Sequence, residues 1–201
     1  MAKPKVYVII HLFWGYIKML ADLVIAGLEA KGAEVTLYCM PETLPKEGFE
    51  KLWAKLFDEI PMIKPEELVN ADGFLFGIGM HFESLAAQVK AFWDMTSGLW
   101  ATGALAGKFG RVLTSTGLQQ GGQETIIQNF ISHYVHHGIN FVPVGFIHPN
   151  LQDNLELIGG SPWGATTIVG GNGPRQVSEK EKEIAKHQGA RFAKLLNKVL
   201  N

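Results

Sequence analysis

Short runs of apolar, often branched residues alternate along this chain with segments whose apolar residues recur at helical spacing. This alternation is the strongest constraint on its fold. The run Val6–Ile10 is typical of a strand buried on both faces of a parallel sheet. The segment that starts at Tyr16 carries apolar residues three or four positions apart until Gly32 ends the pattern. These apolar residues are Ile17, Leu20, Val24 and Leu28.

The same alternation continues to the end of the chain. Four further runs read as strands: Glu34–Met40, Gly73–Ile78, Arg111–Ser115 and Asn140–Gly145. Helical spacing recurs in three long segments, and Pro65 opens a short helix. The long segments are Ala86–Met95, Glu124–His137 and a last one from Ser178, which has capping-box spacing with Glu181, to about Val199. Residues 149–174 are glycine-rich and are predicted to be irregular.

Five strands alternating with helices predict an α/β fold with a parallel sheet between two helical layers. The pattern fits a flavodoxin-like three-layer sandwich with strand order 2-1-3-4-5, formed by one domain over residues 1–201. Ligands of such folds bind beyond the carboxyl ends of the strands. We therefore expect the functional residues in the loops that follow the first, third and fourth strands.

Composition excludes several classes of partner. The chain has 18 basic and 19 acidic side chains, a net charge of −1, which argues against binding to nucleic acid or to an anionic membrane surface. No run is long and apolar enough to span a bilayer. Cys39 is the only cysteine, which fits a soluble protein of the reducing cytoplasm. No set of His, Cys and carboxylate residues has metal-ligand spacing, so no metal site is predicted.

Eight separated motifs carry a resemblance to a known family. They are Pro41-Glu-Thr-Leu, Ala71-Asp-Gly-Phe-Leu-Phe-Gly, the run Phe92–Lys108, Ser115-Thr-Gly, Gly121-Gly-Gln-Glu-Thr, His136-His-Gly, Phe141-Val-Pro-Val-Gly and Gly159-Gly-Ser-Pro-Trp-Gly-Ala-Thr-Thr-Ile. In one register over almost the whole chain, they resemble the WrbA-type NAD(P)H:quinone oxidoreductases. The resemblance implies a homotetramer or dimer that binds FMN and transfers two electrons from NAD(P)H to a quinone.

The resemblance also implies where the ligands bind. The residues at the FMN positions are Leu12, Phe13, Trp14, Gly15 and Tyr16 in the first loop, Met80 and Phe82 in the second, and Ser115, Thr116, Gly117, Leu118 and Gly121 in the third. The candidates for contact with the substrate are Trp14, Trp100 and Trp163. His137 is the candidate for the histidine that the family places near flavin and quinone, and a helix-capping or surface role is an equal alternative.

All three of these loops depart from the family pattern. The third keeps Ser115, Thr116 and Gly117 but carries Leu118, Gln119 and Gln120 where the family has small residues. The family's first loop reads Ser-Met-Tyr-Gly-His, where this chain has Leu12-Phe-Trp-Gly-Tyr16. Leu12 and Phe13 either line the phosphate loop or pack into the core. The family's second loop reads Pro-Thr-Arg-Phe-Gly, where this chain has Gly79-Met-His-Phe-Glu83. Upstream, a segment that is usually rich in proline and glycine has become Trp53-Ala-Lys-Leu-Phe57.

The departures cluster where the family holds its cofactor, which leaves two further hypotheses beside the FMN enzyme. In one, the pocket has been repurposed, by nature or by engineering, to bind or convert another aromatic molecule without flavin. His11, His81 or Glu83 would then supply acid–base chemistry, and Trp14 would stack on the substrate. In the other, the pocket is filled and the protein is a structural or interaction module.

Overall fold

A parallel sheet forms the centre of the computed structural model, which describes residues 2–11, 13–51, 59–170 and 175–200. The strand order is β2-β1-β3-β4-β5, and β6 also pairs with β4. The strands are β1 Lys5–Ile10, β2 Glu34–Cys39, β3 Gly73–Gly79, β4 Phe109–Thr116, β5 Asn140–Phe141 and β6 Thr166–Ile168. The predicted order 2-1-3-4-5 is therefore confirmed.

Helices cover both faces of this sheet. They are α1 Tyr16–Glu29, α2 Lys46–Lys51, α3 Ala87–Asp94, α4 Ser97–Thr102, α5 Gln123–His137 and α6 Glu179–Leu200, with 3-10 helices at Pro65–Asn70 and Pro149–Gln152. One apolar core lies on the α1 and α6 side, and a second, rich in aromatic rings, lies on the α3 and α5 side. The three-layer prediction is thus also confirmed, whereas α2 and α4 had no clear signal in the sequence.

The edge of the sheet beside β4 differs from the sequence prediction. The expected fifth strand over residues 140–145 pairs with β4 at only two positions, because Pro143 has no N–H to donate and Gly145 adopts a left-handed φ of 72°. Along the second half of β4 its place is taken by β6, which lies in the segment predicted to be irregular. Two short strands therefore share one edge of β4.

The register brings the carboxyl ends of β1, β3 and β4 to one edge. His11 follows β1 and donates its backbone N–H to the Gly77 carbonyl at 2.9 Å, while Met80 follows β3 and donates to the Ser115 carbonyl at 3.2 Å. The loops after the three strands therefore start side by side. Among the described residues, no helix has the length and apolar character needed to cross a membrane. Leu12 and the segment Trp53–Phe57 lie outside the described residues.

Candidate functional site

A cavity of about 110 Å³ opens at the carboxyl edge of the sheet. It is bounded by the loops after β1, β3 and β4, which is where the topology predicted a ligand site. It brings together ten of the residues that the sequence singled out. They are His11, Phe13, Trp14, Gly15, Tyr16, Met80, His81, Ser115, Thr116 and Gly117.

A shallower depression of about 350 Å³ adjoins this cavity. Met80 and His81 border both, so the two lie side by side along the edge of the sheet, and together they are called the groove below. The remaining walls of the depression come from Phe82, Glu83, Gln120 and Gly121. Ligand sites for small molecules usually occupy about 300–1,000 Å³. The groove as a whole, rather than the inner cavity alone, has the dimensions of such a site.

The inner end of the groove is suited to an anion. Gly15 precedes α1 in the left-handed conformation, with φ 86°, and lines the cavity together with the first residues of the helix. No side chain of the described residues caps α1, and its first turn carries no acidic residue. The first N–H groups of a helix have no carbonyl partner within it and carry the positive end of its dipole. This end of the cavity can therefore hold a phosphate group.

Aromatic rings form one wall of the groove. The ring of Phe13 meets His11 edge-on, with 4.8 Å between centroids, and His81 edge-on at 5.2 Å. Phe13 is buried in the core on the α3 and α5 side while it also lines the cavity, so both interpretations of this residue hold. Trp14 is 51% exposed and lies nearly parallel to His81, at 6.3 Å. Such a wall can contact a planar aromatic ligand.

The loop after β4 contributes hydroxyl and backbone groups on the opposite side. Thr116 is buried and donates its hydroxyl to the Leu118 carbonyl at 2.9 Å, which closes the turn. Gly117 has open space where a side chain would stand, so a ligand can approach its backbone. Gly121 has no such space, since a Cβ there would lie 2.8 Å from the Leu118 carbonyl. Leu118 itself is exposed outside both cavities.

A tight turn closes the loop after β3. His81 and Ser84 exchange backbone hydrogen bonds of 3.1 and 2.9 Å, and the two residues between them, Phe82 and Glu83, adopt left-handed φ angles of 52° and 58°. Each such angle costs a non-glycine residue about 1–2 kcal/mol. The pattern described above for the resembling family has glycine at the position of Glu83, a residue that adopts such an angle without this cost. Phe82 is 99% exposed at the mouth of the groove.

His11 and Glu42 meet behind the inner cavity. The Oε1 atom of Glu42 accepts hydrogen bonds from the backbone of Thr43 and Leu44, at 2.8 and 2.7 Å, and from Gln88 Nε2 at 2.6 Å. Its Oε2 faces His11 Nε2 at 3.8 Å. His11 is only 4% exposed, and neither ring nitrogen has a hydrogen-bond partner among the described residues.

Burial lowers the pKa of His11 to about 4, although Glu42 acts in the opposite direction; nearby His81 lowers it further. At neutral pH the contact is therefore one between a neutral imidazole and a carboxylate rather than an ion pair. Burial likewise lowers the pKa of His81, which is half-buried. Both rings are uncharged at pH 7 and leave the groove without a cationic side chain at these positions.

The buried imidazole of His11 predicts an acid-sensitive fold. Because its pKa is lower in the folded chain than the ordinary 6.5, the unfolded chain binds more protons between about pH 6.5 and 4. The free energy of unfolding is expected to fall on acidification through this window, by up to about 3 kcal/mol from His11. Urea unfolding at pH 7 and pH 4.5 measures the loss, and the loss should be smaller in His11→Phe, while the other buried and half-buried histidines still contribute. An equal loss in the variant would contradict the assignment.

His137 lies in a different part of the molecule from the groove. It ends α5, which runs back from the carboxyl edge, and it lines a separate cavity of about 330 Å³ together with Trp93 and Trp100. Its Nε2 lies 2.9 Å from the Thr96 hydroxyl, which donates to the Trp93 carbonyl, so Nε2 carries the proton. Burial lowers its pKa. Trp100 is 58% exposed at the rim.

The third tryptophan that was a candidate for substrate contact is also outside the groove. Trp163 is half-buried and stacks on Phe141, with 6.1 Å between ring centroids and 23° between planes. Within one chain, the groove therefore unites the described candidates from the three carboxyl-edge loops except Leu118. His137, Trp100 and Trp163 lie outside the groove of their own chain. Their contact with a substrate or cofactor stays a prediction.

The structure adds residues that the sequence analysis did not assign to the site. Ile17 and Val169 line the inner cavity, and Gln120 lines the depression. Val169 directly follows β6. It was missed for the same reason as that strand, because residues 149–174 were predicted to be irregular. Glu42 lies in the Pro41-Glu-Thr-Leu motif, and that motif was the available signal. In the described part of the chain, no three His, Cys, Asp or Glu side chains gather as a metal site would require.

The sequence of this chain is similar to a family model and to several known proteins. Residues 14–150 match the model of a family described as NADPH-dependent FMN reductase. The chain is 45% identical to the NAD(P)H quinone oxidoreductase PST2 of Candida albicans, with 98% of each chain covered. It is 42% identical to an NAD(P)H dehydrogenase (quinone) of Rhizobium rhizogenes, again with 98% of each covered.

A solved structure supports the fold independently. The flavodoxin-like WrbA-like protein from Agrobacterium tumefaciens superposes with a TM-score of 0.68 at 19% identity. The match covers 98% of this chain and 99% of that one. Identity this low bears on the fold alone, and it agrees with the strand order described above.

Proposed function

The chain belongs to the NADPH-dependent FMN reductase family, and from that premise we propose that it is an FMN-dependent NAD(P)H:quinone oxidoreductase. The relatives that share more than two-fifths of its residues over nearly their full length carry that activity in their names. When bound, FMN supplies two-electron transfer from the nicotinamide to the quinone. The protein contributes binding, orientation and the exclusion of water.

The observation that carries the proposal is the uncapped amino terminus of α1 at the inner end of the groove. It fits the FMN phosphate although the first loop lacks the family's serine hydroxyl, because backbone N–H groups of the first turn are the donors. Gly15 admits a close approach at this point, since it has no side chain. The phosphate therefore needs neither a lysine nor an arginine from the loop.

The other residues of the groove divide the remaining tasks. Ser115 and Gly117 offer a hydroxyl and an open backbone to the polar part of FMN. Phe13, Trp14 and Met80 present apolar surface to the ring system. The closed turn at Phe82 and Glu83 borders the mouth, where a nicotinamide or a quinone enters. His81 and His11 stay candidates for acid–base chemistry, and because burial lowers the pKa of both rings they would act as proton acceptors near neutral pH.

The proposal includes a second copy of the chain. His137 and Trp100 line a cavity that is separate from the groove, and in the family such a histidine lies near flavin and quinone. In a homodimer or homotetramer whose subunits place this surface over the groove of a neighbour, His137 would lie near that neighbour's flavin although it is far from the groove of its own chain. Met95 and Val135, which are exposed apolar residues, belong to the same helices or helix ends. We also propose one domain acting in the cytoplasm, in agreement with the single cysteine.

The flavin-free alternative is not favoured. It rested on large apolar side chains at the cofactor positions of all three loops, and one of these, Phe13, packs into the core as well as lining the cavity. The high identity to quinone oxidoreductases adds to this judgement. A silent, filled pocket has less support still, since the groove is open along the sheet edge.

Titration of the apo-protein with FMN tests the proposal directly. We expect submicromolar binding, seen as quenching of flavin fluorescence, and NAD(P)H-dependent reduction of a benzoquinone by the loaded protein. Sedimentation of the same sample should give a mass above that of one chain. Absence of binding at high micromolar FMN would contradict the proposed function and restore the flavin-free alternative.

A further inference from the structure

The mouth of the groove has an unbalanced charge. Of the described residues that line the inner cavity and the depression, none is a lysine or an arginine. His81 is neutral at pH 7, because burial lowers its pKa. Glu83 is therefore the only Asp, Glu, Lys or Arg among the described residues that line the two cavities. Glu124, exposed in the first turn of α5 close to this loop, has the same sign.

Glu83 is held in place at the mouth. Its backbone N–H donates to Met80 Sδ at 3.0 Å, and its carbonyl accepts from Asn129 Nδ2 at 2.7 Å. The side chain lies against Gly122, since a Cβ built there would stand 2.8 Å from Glu83 Cγ and 3.2 Å from Oε1. No lysine or arginine of the described residues forms an ion pair with it. The backbone of Glu83 is therefore anchored, and its carboxylate has no basic side chain as partner among the described residues, although it lies beside Gly122, which precedes α5.

We propose that Glu83 selects the electron acceptor by charge, so that the protein prefers uncharged or cationic quinones to anionic ones. The inference rests on the proposed function and names the substrate class of the same groove. The inner end, at α1, attracts a phosphate, whereas the mouth repels an anion. FMN satisfies both conditions when its single phosphate is directed inward. An acceptor with a sulfonate or carboxylate would bring a negative charge to the mouth, beside Glu83.

The size of the effect follows from the distance and from the solvent. Two single charges about 6 Å apart in exposed surroundings change an equilibrium constant or a rate constant by about three- to tenfold at low salt. Ions screen this interaction, so the effect should shrink as the ionic strength rises. A contribution from side-chain volume would not depend on salt. The two origins can therefore be separated in one experiment.

The test compares 1,4-naphthoquinone with 1,4-naphthoquinone-2-sulfonate. Their kcat/KM ratio, neutral over sulfonated, is measured in the FMN-loaded wild type and in Glu83→Gln at 20 mM and 500 mM salt. Glutamine keeps the length of the side chain and the left-handed turn. The variant ratio should be about three- to tenfold lower than that of the wild type at low salt, with most of the difference lost at high salt. Glu124→Gln, outside the groove lining, should shift the ratio by less than twofold.

A binding readout keeps this inference separate from the proposed function. Quenching of tryptophan fluorescence gives the dissociation constant of the sulfonated quinone, and Glu83→Gln should lower it by the same three- to tenfold. If neither quinone is reduced by the loaded wild type, the proposed function fails, and the dissociation constants still decide the role of Glu83. If the kinetic ratio and the dissociation constants are unchanged in Glu83→Gln, charge selection by this residue is overturned.

Discussion

Gly15→Ala is expected to weaken the binding of FMN to the apo-protein by about ten- to thirtyfold. Gly15 has φ 86°, a conformation that costs alanine about 1–2 kcal/mol of folding stability, in the free and the bound protein alike. Its added methyl group would also stand at the uncapped end of α1, where the phosphate is proposed to bind. Loss of a favourable anion–helix contact is worth up to about 2 kcal/mol, or more than tenfold in affinity. Fluorescence titration with FMN measures the change.

The same helix offers a matched control for this variant. Gly32 follows the other end of α1 with φ 82°, and a Cβ there would meet nothing within 4 Å. Gly32→Ala should therefore lose a similar amount of stability in urea unfolding while its affinity for FMN stays at the wild-type value. Equal affinities in the two variants would remove the α1 terminus from the cofactor site.

Glu181→Ala is expected to lower the free energy of unfolding by about 3–5 kcal/mol. Glu181 is fully buried at the start of α6 and forms an ion pair with Arg175, whose Nη1 lies 2.8 Å from Oε2. It also accepts hydrogen bonds from the backbone of Gly159, Ile168 and Ser178 and from the Thr167 hydroxyl. Alanine would leave these donors without this acceptor, and the guanidinium would keep only the carbonyls of Ile168 and Leu157. Urea unfolding followed by circular dichroism measures the loss.

Glu179 provides a control that distinguishes the loss of this network from the loss of any negative charge at the start of α6. Glu179 begins α6, two residues before Glu181, and is exposed. Among the described residues it forms an ion pair only with Lys182. Glu179→Ala should leave the unfolding transition nearly unchanged. Glu181→Gln retains the shape and one acceptor oxygen, so it should fold and show an intermediate loss if the alanine variant does not fold. A change below 1 kcal/mol in Glu181→Ala would contradict the role assigned to the network.

Much of the fold could be predicted from local patterns. The run Val6–Ile10 is apolar at every position because both of its faces are covered, and the spacing of apolar residues before Gly32 follows the buried face of α1. The capping box at Ser178 and Glu181 is present, with bonds of 2.8 and 3.3 Å. Its wider role was not visible, because Arg175 and Gly159 reach Glu181 only through the tertiary structure.

The parts that could not be predicted depend on pairing over long distances. The three residues of β6 lie in a glycine-rich stretch, and only the free edge of β4 makes them a strand. The site followed from topology, since parallel strands end at one edge, but the orientation of each side chain did not. Phe13 could face either the ligand or the core, and it contacts both. Glu42 had no visible function until His11 was found opposite its carboxylate.

Because β5 and β6 pair with the same edge of β4, the segment between them is expected to tolerate an insertion. Phe141 pairs with Gly110, and Thr166 pairs with Thr114. The segment between Phe141 and Thr166 therefore leaves and rejoins the sheet at points four residues apart on β4. At about 3.3 Å for each residue, this separation is about 13 Å. Leu155 lies on it and is almost fully exposed. An insertion at Leu155 would extend outward from two anchored ends without entering the sheet. Reporter peptides or a fused domain can therefore be grafted at this point, while the loops of the groove keep their framework.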